Sequence, residues 1–473
     1  MKNRRAFLSD TAYVAVGVAT TLSLSGCDLD TLEQSRIPAD FIPGSDIPWT
    51  NWAGNQTCVP SDRLAPSTDD ELVMALKNAR GVVRPVGSSH SFSPVVPTGD
   101  TLLATDLLSG VVSHNPGLMQ TEIWAGTRMH NLGPMLDSLG QALPNMPDMD
   151  YPSMGGAVAT SVHGTSPRFG SISSYVTALT LATPSGELID CSATENADIF
   201  QAARTSVGAL GVISRLTFQN QAAFNLTEVS GIEKTEVILE NLQSNFEDNR
   251  LFEFFPIPYT EYSLTVSTNL AQAGDVNVGE DDPSTIDLLR KVFQSVGSMP
   301  VVGRALYEQA LGLVLRSESQ DLIRTGASYK VLPHDRIVRF REMEYTVPAE
   351  HGPDCLREIL QTIREKNIPM AFPIEYRHVK SDDIWLSMFE GRDGASLSIH
   401  QFGNRAYEGV FAEVEPIFWK YGGRPHWGKI HTLTAAQLAP LYSRHWQDFQ
   451  EVRLALDPHG RMMNDHLKLI FGT

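Results

Sequence analysis

The segment Phe372-Pro-Ile-Glu-Tyr-Arg-His378 constrains the fold more than any other part of the chain. In a β-strand, alternate side chains share one face, so Glu375 and Arg377 point to one side while Ile374 and Tyr376 point to the other. An acid beside a guanidinium, with apolar residues behind them, indicates a sheet with one apolar and one polar face. The polar face is either a salt-bridged surface or the wall of a polar pocket.

Two further segments near the C-terminus carry polar and aromatic side chains in similar patterns. The strand predicted over 395–402 places Ser396, Ser398, His400 and Phe402 on one face, as in a pocket wall. A single histidine in such a strand is more often structural than catalytic, and only the groups that it contacts could indicate a catalytic role. The stretch Tyr421-Gly-Gly-Arg-Pro-His-Trp-Gly-Lys429 concentrates cationic, aromatic and turn residues, which indicates a role beyond packing.

The N-terminal half contains two stretches of small residues. A strand predicted over 82–86 runs directly into Gly87-Ser-Ser-His-Ser91, which places the His90 imidazole in a loop at the end of a strand. Further along, Tyr151 to Gly164 is predicted to be a loop whose backbone N–H groups can approach a ligand closely, as phosphate binding requires. The first loop is a candidate site, and the second is a candidate phosphate cradle.

The first 27 residues are predicted to be an export signal rather than part of the fold. A basic head is followed by an uncharged apolar run that is shorter than the ~20 residues needed to cross a bilayer. Asn3 to Leu8 resembles a twin-arginine export motif, and Leu24 to Cys27 resembles a lipoprotein box. We therefore expect a bacterial envelope protein, periplasmic or at the cell surface, that meets the membrane only through a lipid on Cys27 and a tether over residues 28–50.

The composition narrows the class of protein. The chain has 473 residues, of which 42% are hydrophobic and 19% charged, and this is typical of a two-domain globular enzyme. A net charge of −18 argues against nucleic acid as a partner. Beyond Cys27, the cysteines Cys58, Cys191 and Cys355 allow at most one disulfide, and no cysteine or histidine spacing matches a metal site. We expect no metal.

The pattern of predicted elements changes near residue 225. Before this point, short strands alternate with helices. After it, longer alternating strands are accompanied by helices predicted over 285–293 and 304–315. We therefore divide the chain into domains over 51–225 and 226–420, followed by a C-terminal segment over 421–473.

Five segments, read in order, resemble the vanillyl-alcohol oxidase superfamily of flavin oxidases, and within it the aldonolactone and alditol oxidase branch. The likeness spans roughly residues 50–473, and the order of the segments makes it specific. The segments are Gly87-Ser-Ser-His-Ser-Phe92, Gly155-Gly-Ala-Val-Ala-Thr-Ser-Val-His-Gly-Thr165, Gly208-Ala-Leu-Gly-Val-Ile213, Glu375-x-Arg377 and Arg424-Pro-His-Trp-Gly-Lys429.

The resemblance implies an α+β fold in which FAD lies between two subdomains of the first domain. A second domain with a large antiparallel sheet covers the flavin ring, and the C-terminal segment returns to it. His90 is the implied covalent attachment to FAD. The other residues implied in cofactor binding are Gly87, Ser88, Ser89, Ser91, Gly155, Gly156, Ser161, His163, Gly164, Thr165, Val212, Ile213 and His426.

The resemblance also implies oxidation of a CH–OH group of a sugar alcohol or aldonolactone, with a small polyhydroxylated compound as substrate. Arg377 and Lys429 would supply positive charge to the reduced flavin, Glu375 would bind substrate hydroxyls, and His400 would orient the alcohol or help to remove its proton. A small residue at Gly155 favours O2 as the oxidant, giving H2O2. A dehydrogenase that passes electrons to a cytochrome or quinone remains the alternative.

Two other classes of protein remain open. A serine hydrolase would use Ser88, Ser89 or Ser91 with His163 or His426, although no Gly-x-Ser-x-Gly motif marks any of these serines. An envelope lipoprotein that only binds a saccharide would keep the fold without the chemistry. Bound flavin that an alcohol reduces would exclude both.

Overall fold

The computed structural model describes residues 47–272, 322–334, 338–370, 372–403 and 405–473. The predicted export signal with Cys27, nearly all of the tether, and the helices predicted over 285–293 and 304–315 lie outside the described residues. Among the helices that the structure describes, none has both the length and the apolar character needed to cross a membrane.

The first part of the chain alternates short strands with short helices. In chain order these are β1 (Trp49–Thr50), β2 (Thr57–Cys58), β3 (Asp62–Leu64), α1 (Asp69–Asn78), β4 (Val83–Val86), β5 (Thr101–Ala104), β6 (Val111–Asn115), β7 (Gln120–Trp124), α2 (Met129–Ser138), β8 (Gln141–Ala142), α3 (Met154–Ala159), a 3-10 helix (Ile172–Tyr175), β9 (Val176–Ala182), β10 (Leu188–Ser192), α4 (Ala197–Ala203), β11 (Val212–Gln219) and β12 (Gln221–Ala222).

These strands form two main sheets, which define the two subdomains that the resemblance implies. A parallel sheet has the order β3-β5-β4, and an antiparallel sheet has the order β10-β9-β11-β7-β6. The stretch predicted as a loop over 151–164 contains the helix α3, so that prediction is wrong for its central residues. Ala and Val between the two glycines and Thr160 suit a helical turn, and the Gly155 N–H donates to the Ala125 carbonyl at 2.7 Å.

The second part is dominated by longer strands. Its elements are β13 (Asn225–Lys234), α5 (Thr235–Glu240), α6 (Leu242–Asp248), β14 (Leu251–Pro256), β15 (Tyr262–Leu270), β16 (Leu322–Ala327), α7 (Ser328–Val331), β17 (Phe340–Pro348), a 3-10 helix (Ala349–His351), α8 (Gly352–Glu365), β18 (Glu375–Val379), β19 (Gly394–Phe402), α9 (Glu408–Lys420), β20 (Arg424–Pro425), α10 (Ala435–Leu441), α11 (Trp446–Leu456) and α12 (Asp465–Phe471).

One eight-stranded sheet with the order β16-β13-β15-β14-β18-β19-β17-β20 confirms the large antiparallel sheet that was expected. Helices α8 and α9 pack on its apolar face. Close packing there requires Gly352, because a Cβ at this position would lie 2.2 Å from the Tyr376 hydroxyl oxygen. The polar side chains of the sheet therefore project from the opposite face, toward the first part of the chain.

The C-terminal segment joins the two parts. Strand β20 pairs with β17 of the large sheet. Beyond it the chain returns to the first part, where the Val83 N–H donates to the Arg461 carbonyl at 2.7 Å and the Asn464 amide donates to the carbonyls of Pro94 and Pro97, each at 2.9 Å. The sheet is thereby fixed over the strand that leads into the His90 loop.

Candidate active site

A cavity of about 530 Å³ runs between the first part of the chain and the polar face of the large sheet. Its size and its mixture of apolar walls with a few polar groups are typical of a cofactor or substrate site. The His90 loop, α3 and the start of β11 line one side. Strands β17, β18 and β19 and the loop after β20 line the other.

The His90 loop is held in a strained shape by the segment that precedes it in the chain. Ser89 has a φ of 60°, which is uncommon for a residue with a side chain. The Trp49 indole N–H donates to the Ser89 hydroxyl at 3.0 Å, and the Trp52 N–H donates to the Ser89 carbonyl at 2.8 Å. The Trp52 ring stacks on the His90 imidazole with ring centres 4.6 Å apart. The imidazole is therefore fixed before any ligand binds.

The His90 ring is neutral and has an unused nitrogen. Burial, followed by the nearby Lys429 ammonium, lowers the pKa of His90 to about 4. Its Nε2 is buried and has no hydrogen-bond partner among the described residues. A buried polar atom without a partner is costly, and at the wall of a cavity this indicates that a ligand supplies the partner.

The opposite wall is built from the polar faces of three neighbouring strands. The register pairs Glu342 of β17 with His400 of β19, and Glu375 and Arg377 of β18 with Ser398 and Ser396 of β19. Glu375 and Arg377 are only 4% and 5% exposed, and both line the cavity. Of the two possibilities for this face, the structure shows the polar pocket.

Ion pairs fix the charged groups of this wall. Arg377 lies 3.2 Å from a Glu375 oxygen and 3.4 Å from a Glu344 oxygen, and the ammonium of Lys429 contacts Glu342. Burial alone would lower the pKa of Arg377, but Glu375 and Glu344 outweigh it and raise the pKa. Burial alone would raise the pKa of Glu342, but Lys429 and His400 hold it well below its usual range. The Arg377 guanidinium and the Glu342 carboxylate therefore stay charged at neutral pH.

His400 is oriented from both sides. Its Nδ1 lies 3.1 Å from the Pro373 carbonyl oxygen, which only accepts hydrogen bonds, so Nδ1 carries a proton. Its Nε2 lies 3.6 Å from a Glu342 oxygen, and the residue lines the cavity. In the neutral ring, Nε2 therefore presents a lone pair to a ligand, and Glu342 would stabilise the ring once it gains a proton.

Glu253 of β14 adds a further carboxyl group beside this wall. It is the cross-strand partner of Arg377. Burial, followed by repulsion from Glu375, raises the pKa of Glu253 to about 7. Arg377 therefore lies beside the carboxyl groups of Glu375 and Glu344 and pairs across the sheet with a third, Glu253, whose pKa lies near neutrality.

Most residues implied in cofactor binding line the cavity: Gly87, Ser88, Ser89, His90, Ser91, Gly155, Gly156, His163, Val212, Ile213 and His426. Ser161, Gly164 and Thr165 do not line the cavity. The Ser161 hydroxyl pairs with that of Ser387 at 3.3 Å, and the Thr165 hydroxyl donates to the Phe252 carbonyl at 2.8 Å. A Cβ at Gly164 would lie 2.4 Å from the Met146 carbonyl oxygen, so this glycine permits close packing between two segments.

His163 is held by acceptors on both sides. Its Nε2 lies 2.6 Å from a Glu344 oxygen, and its Nδ1 lies 2.9 Å from the Gly164 carbonyl oxygen. His426 Nδ1 accepts a bond from the Gly428 N–H at 3.0 Å. Both rings are therefore engaged by partners other than Ser88, Ser89 and Ser91, and this arrangement does not support the hydrolase alternative.

Sequence reasoning missed Glu342, Glu344 and Trp52. The signal for the two glutamates was present, because Arg341-Glu-Met-Glu-Tyr345 has the same alternation that singled out Glu375 and Arg377. Trp52 gave no such signal, because its contact with His90 depends on tertiary packing.

The chain matches two known protein families over most of its length. Residues 216–470 match the D-arabinono-1,4-lactone oxidase family, and residues 60–192 match the FAD binding domain family. The L-gulono-1,4-lactone dehydrogenase of Mycobacterium tuberculosis is 36% identical over 434 residues, which cover 90% of this chain and 99% of the relative. The alditol oxidase of a Streptomyces species is 28% identical, over 89% of this chain and 98% of the relative.

Solved structures show the same fold at lower sequence identity. A variant of cholesterol oxidase from Brevibacterium sterolicum superposes with a TM-score of 0.71 at 16% identity, covering 90% of this chain and 96% of that one. A solvent-stable cholesterol oxidase gives a TM-score of 0.71 at 20% identity, with coverages of 89% and 96%. These structures support the overall architecture.

Proposed function

The chain belongs to the D-arabinono-1,4-lactone oxidase family, and from this membership we propose that it is an enzyme that oxidises a CH–OH group of an aldonolactone or sugar alcohol. It is an FAD-dependent oxidoreductase. The observation that carries the substrate proposal is the buried polar wall of Glu375, Arg377 and His400, which faces the same cavity as His90. Such a wall suits neighbouring hydroxyl groups better than an apolar substrate.

The residues present fit FAD. The glycines and serines of the His90 loop and α3 would hold the pyrophosphate, and Val212 and Ile213 would lie beside the adenine. Lys429 and His426 would lie at the flavin ring. When bound, FAD supplies the hydride acceptor and carries the negative charge that accumulates on reduction.

Substrate hydroxyls would bind to the acceptors of the polar wall. Glu375 Oε1 is buried and has no partner among the described residues, so it can accept a hydrogen bond from one hydroxyl. His400 Nε2 would accept the proton of the hydroxyl that is oxidised, because His400 lines the cavity and its Nδ1 is occupied by the Pro373 carbonyl. Glu342, 3.6 Å from this nitrogen, would stabilise the resulting imidazolium.

Arg377 and Lys429 would keep the site electrically balanced. Each cation is already paired with a carboxylate of the wall, so its position does not depend on substrate. Fixed charge of this kind stabilises charge that develops during a reaction without reorganisation. Lys429 also keeps the pKa of the buried Glu342 carboxyl well below its usual range.

The substrate class is tested by mixing the purified flavoprotein anaerobically with a gulonolactone, an arabinonolactone, an alditol and a simple aldose. We expect loss of the oxidised-flavin absorbance with at least one lactone or alditol.

Admission of air then shows whether O2 or another electron acceptor reoxidises the reduced flavin. We expect rapid return of colour with formation of H2O2, whereas slow return that a cytochrome or quinone accelerates would identify a dehydrogenase. Failure of every polyol and lactone to bleach the flavin would contradict the proposed function.

We propose that His90 Nε2 is bonded covalently to FAD. The support is the neutral, stacked ring with an unused buried nitrogen at the cavity wall. A covalent bond of this kind would retain the cofactor in an exported protein.

We also propose that the protein is exported and lipidated at Cys27. The support is the sequence pattern of the first 27 residues. Membrane-fraction recovery of the full chain, compared with a Cys27→Ala variant, tests the anchor. Equal release of both proteins into the soluble fraction would contradict it.

A further inference from the structure

We propose that the polar wall also forms a site for a zinc ion, held by Glu342, Glu375 and His400, and that zinc bound there excludes the substrate. This inference rests on the proposed function only for its inhibitory consequence, because the ion site itself follows from the three side chains. One donor atom from each lies within 4.8 Å of the other two, and all three residues are buried.

The three ligands stand on neighbouring strands of one sheet. Glu342 on β17 is the cross-strand partner of His400 on β19, and Glu375 on β18 pairs with Ser398, two residues from His400 on the same face. Ligands on a hydrogen-bonded sheet are positioned more precisely than ligands on loops. One histidine and two carboxylates, with a further position open to the cavity, match the ligand types and number of a three-ligand zinc site that keeps a water.

The environment of His400 is that of a metal-binding histidine. Metal-bound histidines commonly donate their second ring N–H to a backbone carbonyl or carboxylate, which fixes the ring and raises its basicity. The Pro373 carbonyl, 3.1 Å from Nδ1, provides this partner. The Nε2 lone pair is then directed toward the carboxylate side of the site.

The two carboxylates each have one oxygen anchored and one oxygen available. Glu375 Oε2 pairs with Arg377 at 3.2 Å, while its Oε1 is buried and unpartnered in the described part of the chain. Glu342 Oε2 contacts Lys429, while its Oε1 faces His400 at 3.6 Å. A carboxylate oxygen of Glu342, a carboxylate oxygen of Glu375 and a ring nitrogen of His400 thus lie close together at the cavity, where they would bind either donor hydroxyls or a cation.

The donor set favours zinc over magnesium. Magnesium prefers six oxygen ligands and loses water reluctantly, whereas zinc accepts imidazole and four-coordinate geometry. Arg377 and Lys429 oppose a divalent cation, so binding is expected to be reversible. Because substrate hydroxyls and zinc use the same lone pairs, the two should compete.

The test is a zinc titration of the purified holoprotein by calorimetry, with and without a saturating lactone, together with steady-state kinetics at several zinc concentrations. We expect one zinc per chain, weaker zinc binding in the presence of the lactone, and a raised KM with unchanged kcat. Magnesium at the same concentrations should have no effect.

Two variants distinguish this site from surface binding. We expect His400→Gln and Glu375→Gln each to weaken zinc binding by at least ~100-fold, more than loss of an outer partner usually costs. His445→Ala, which removes a histidine paired with Asp448 at the surface, should bind zinc like the unaltered protein. Unchanged zinc binding in His400→Gln, or no binding to the unaltered protein, would overturn the proposal. If no lactone is oxidised, the calorimetric comparison of the variants still decides the ion site.

Discussion

Replacing Arg377 by methionine is expected to lower kcat/KM for the sugar substrate by about 10²–10³-fold or more, the range seen when one group that stabilises developing charge is removed. Arg377 contacts Glu375 at 3.2 Å and Glu344 at 3.4 Å in a buried wall. Without it, the buried Glu375 and Glu344 carboxylates lose the cation that they share and repel each other, so the wall that binds the substrate is expected to rearrange. Steady-state kinetics with the best substrate of the panel measures the effect.

The same change should also destabilise the fold, because removal of one partner from a buried ion pair costs about 3–5 kcal/mol. Arg357→Met is the matched control, since Arg357 also contacts two carboxylates, those of Glu236 and Asp354, but is 41% exposed. The control should lose less than about 1 kcal/mol and no activity. An Arg377→Met enzyme whose kcat/KM stays within a few-fold of the original would refute the assigned role.

Replacing Arg84 by methionine is expected to lower the free energy of unfolding by a similar amount, about 3–5 kcal/mol, because several buried carbonyls lose their donor together. The fully buried guanidinium donates to the carbonyls of Val95 at 2.7 Å and of Val207 and Gly208 at 2.9 Å each, and it also contacts the Met462 carbonyl. Burial, partly offset by Asp457, lowers the pKa of Arg84 to about 9. One side chain thus connects three segments that are far apart in the sequence.

Loss of Arg84 should also weaken retention of the cofactor, because Val207 and Gly208 line the cavity. Denaturant unfolding followed by circular dichroism measures the stability. Arg168→Met is the control, because Arg168 donates to the carbonyls of Asn249 and Glu247 at the protein surface, where water can replace it. Equal unfolding free energies for the two variants would contradict the structural role of Arg84.

The alternation of side chains predicted the polar face of the sheet, and the structure has it. Glu375 and Arg377 share one face with Ser396, Ser398 and His400 because a strand has a period of two residues, which sequence alone reveals. Whether that face was a surface or a pocket could not be predicted. The answer depends on what covers the sheet, and the first part of the chain covers it.

The partners of His400 could not be predicted for a related reason. Its pairing with Glu342 depends on the register of β17 against β19, and these strands are separated by more of the chain than local pattern can bridge. Spacing rules for metal sites likewise could not bring Glu342, Glu375 and His400 together, because these rules detect ligands on one helix or loop and not on three strands. The helix over Met154–Ala159 was predicted as a loop because glycines and serines outweighed its short run of helix-forming residues.

The position of His90, in contrast to the partners of His400, could be predicted from the local sequence. The strand followed by a small-residue loop placed the imidazole at the end of β4 correctly, since Val83–Val86 leads directly into it. Its stacking on Trp52 and its unpartnered nitrogen are tertiary facts. The sequence therefore predicted where the histidine lies, and the structure adds why it is available to a ligand.

The covalent bond between His90 and FAD is tested most directly by the flavin fluorescence of the protein band on a denaturing gel, recorded together with the absorbance spectrum of the native protein. The unaltered protein should be yellow with a fluorescent band. His90→Ala should remain yellow when native but give a dark band, because the rest of the cavity still holds FAD. A fluorescent band in His90→Ala would contradict the attachment at His90, and a colourless protein from a flavin-replete host would contradict the account as a whole.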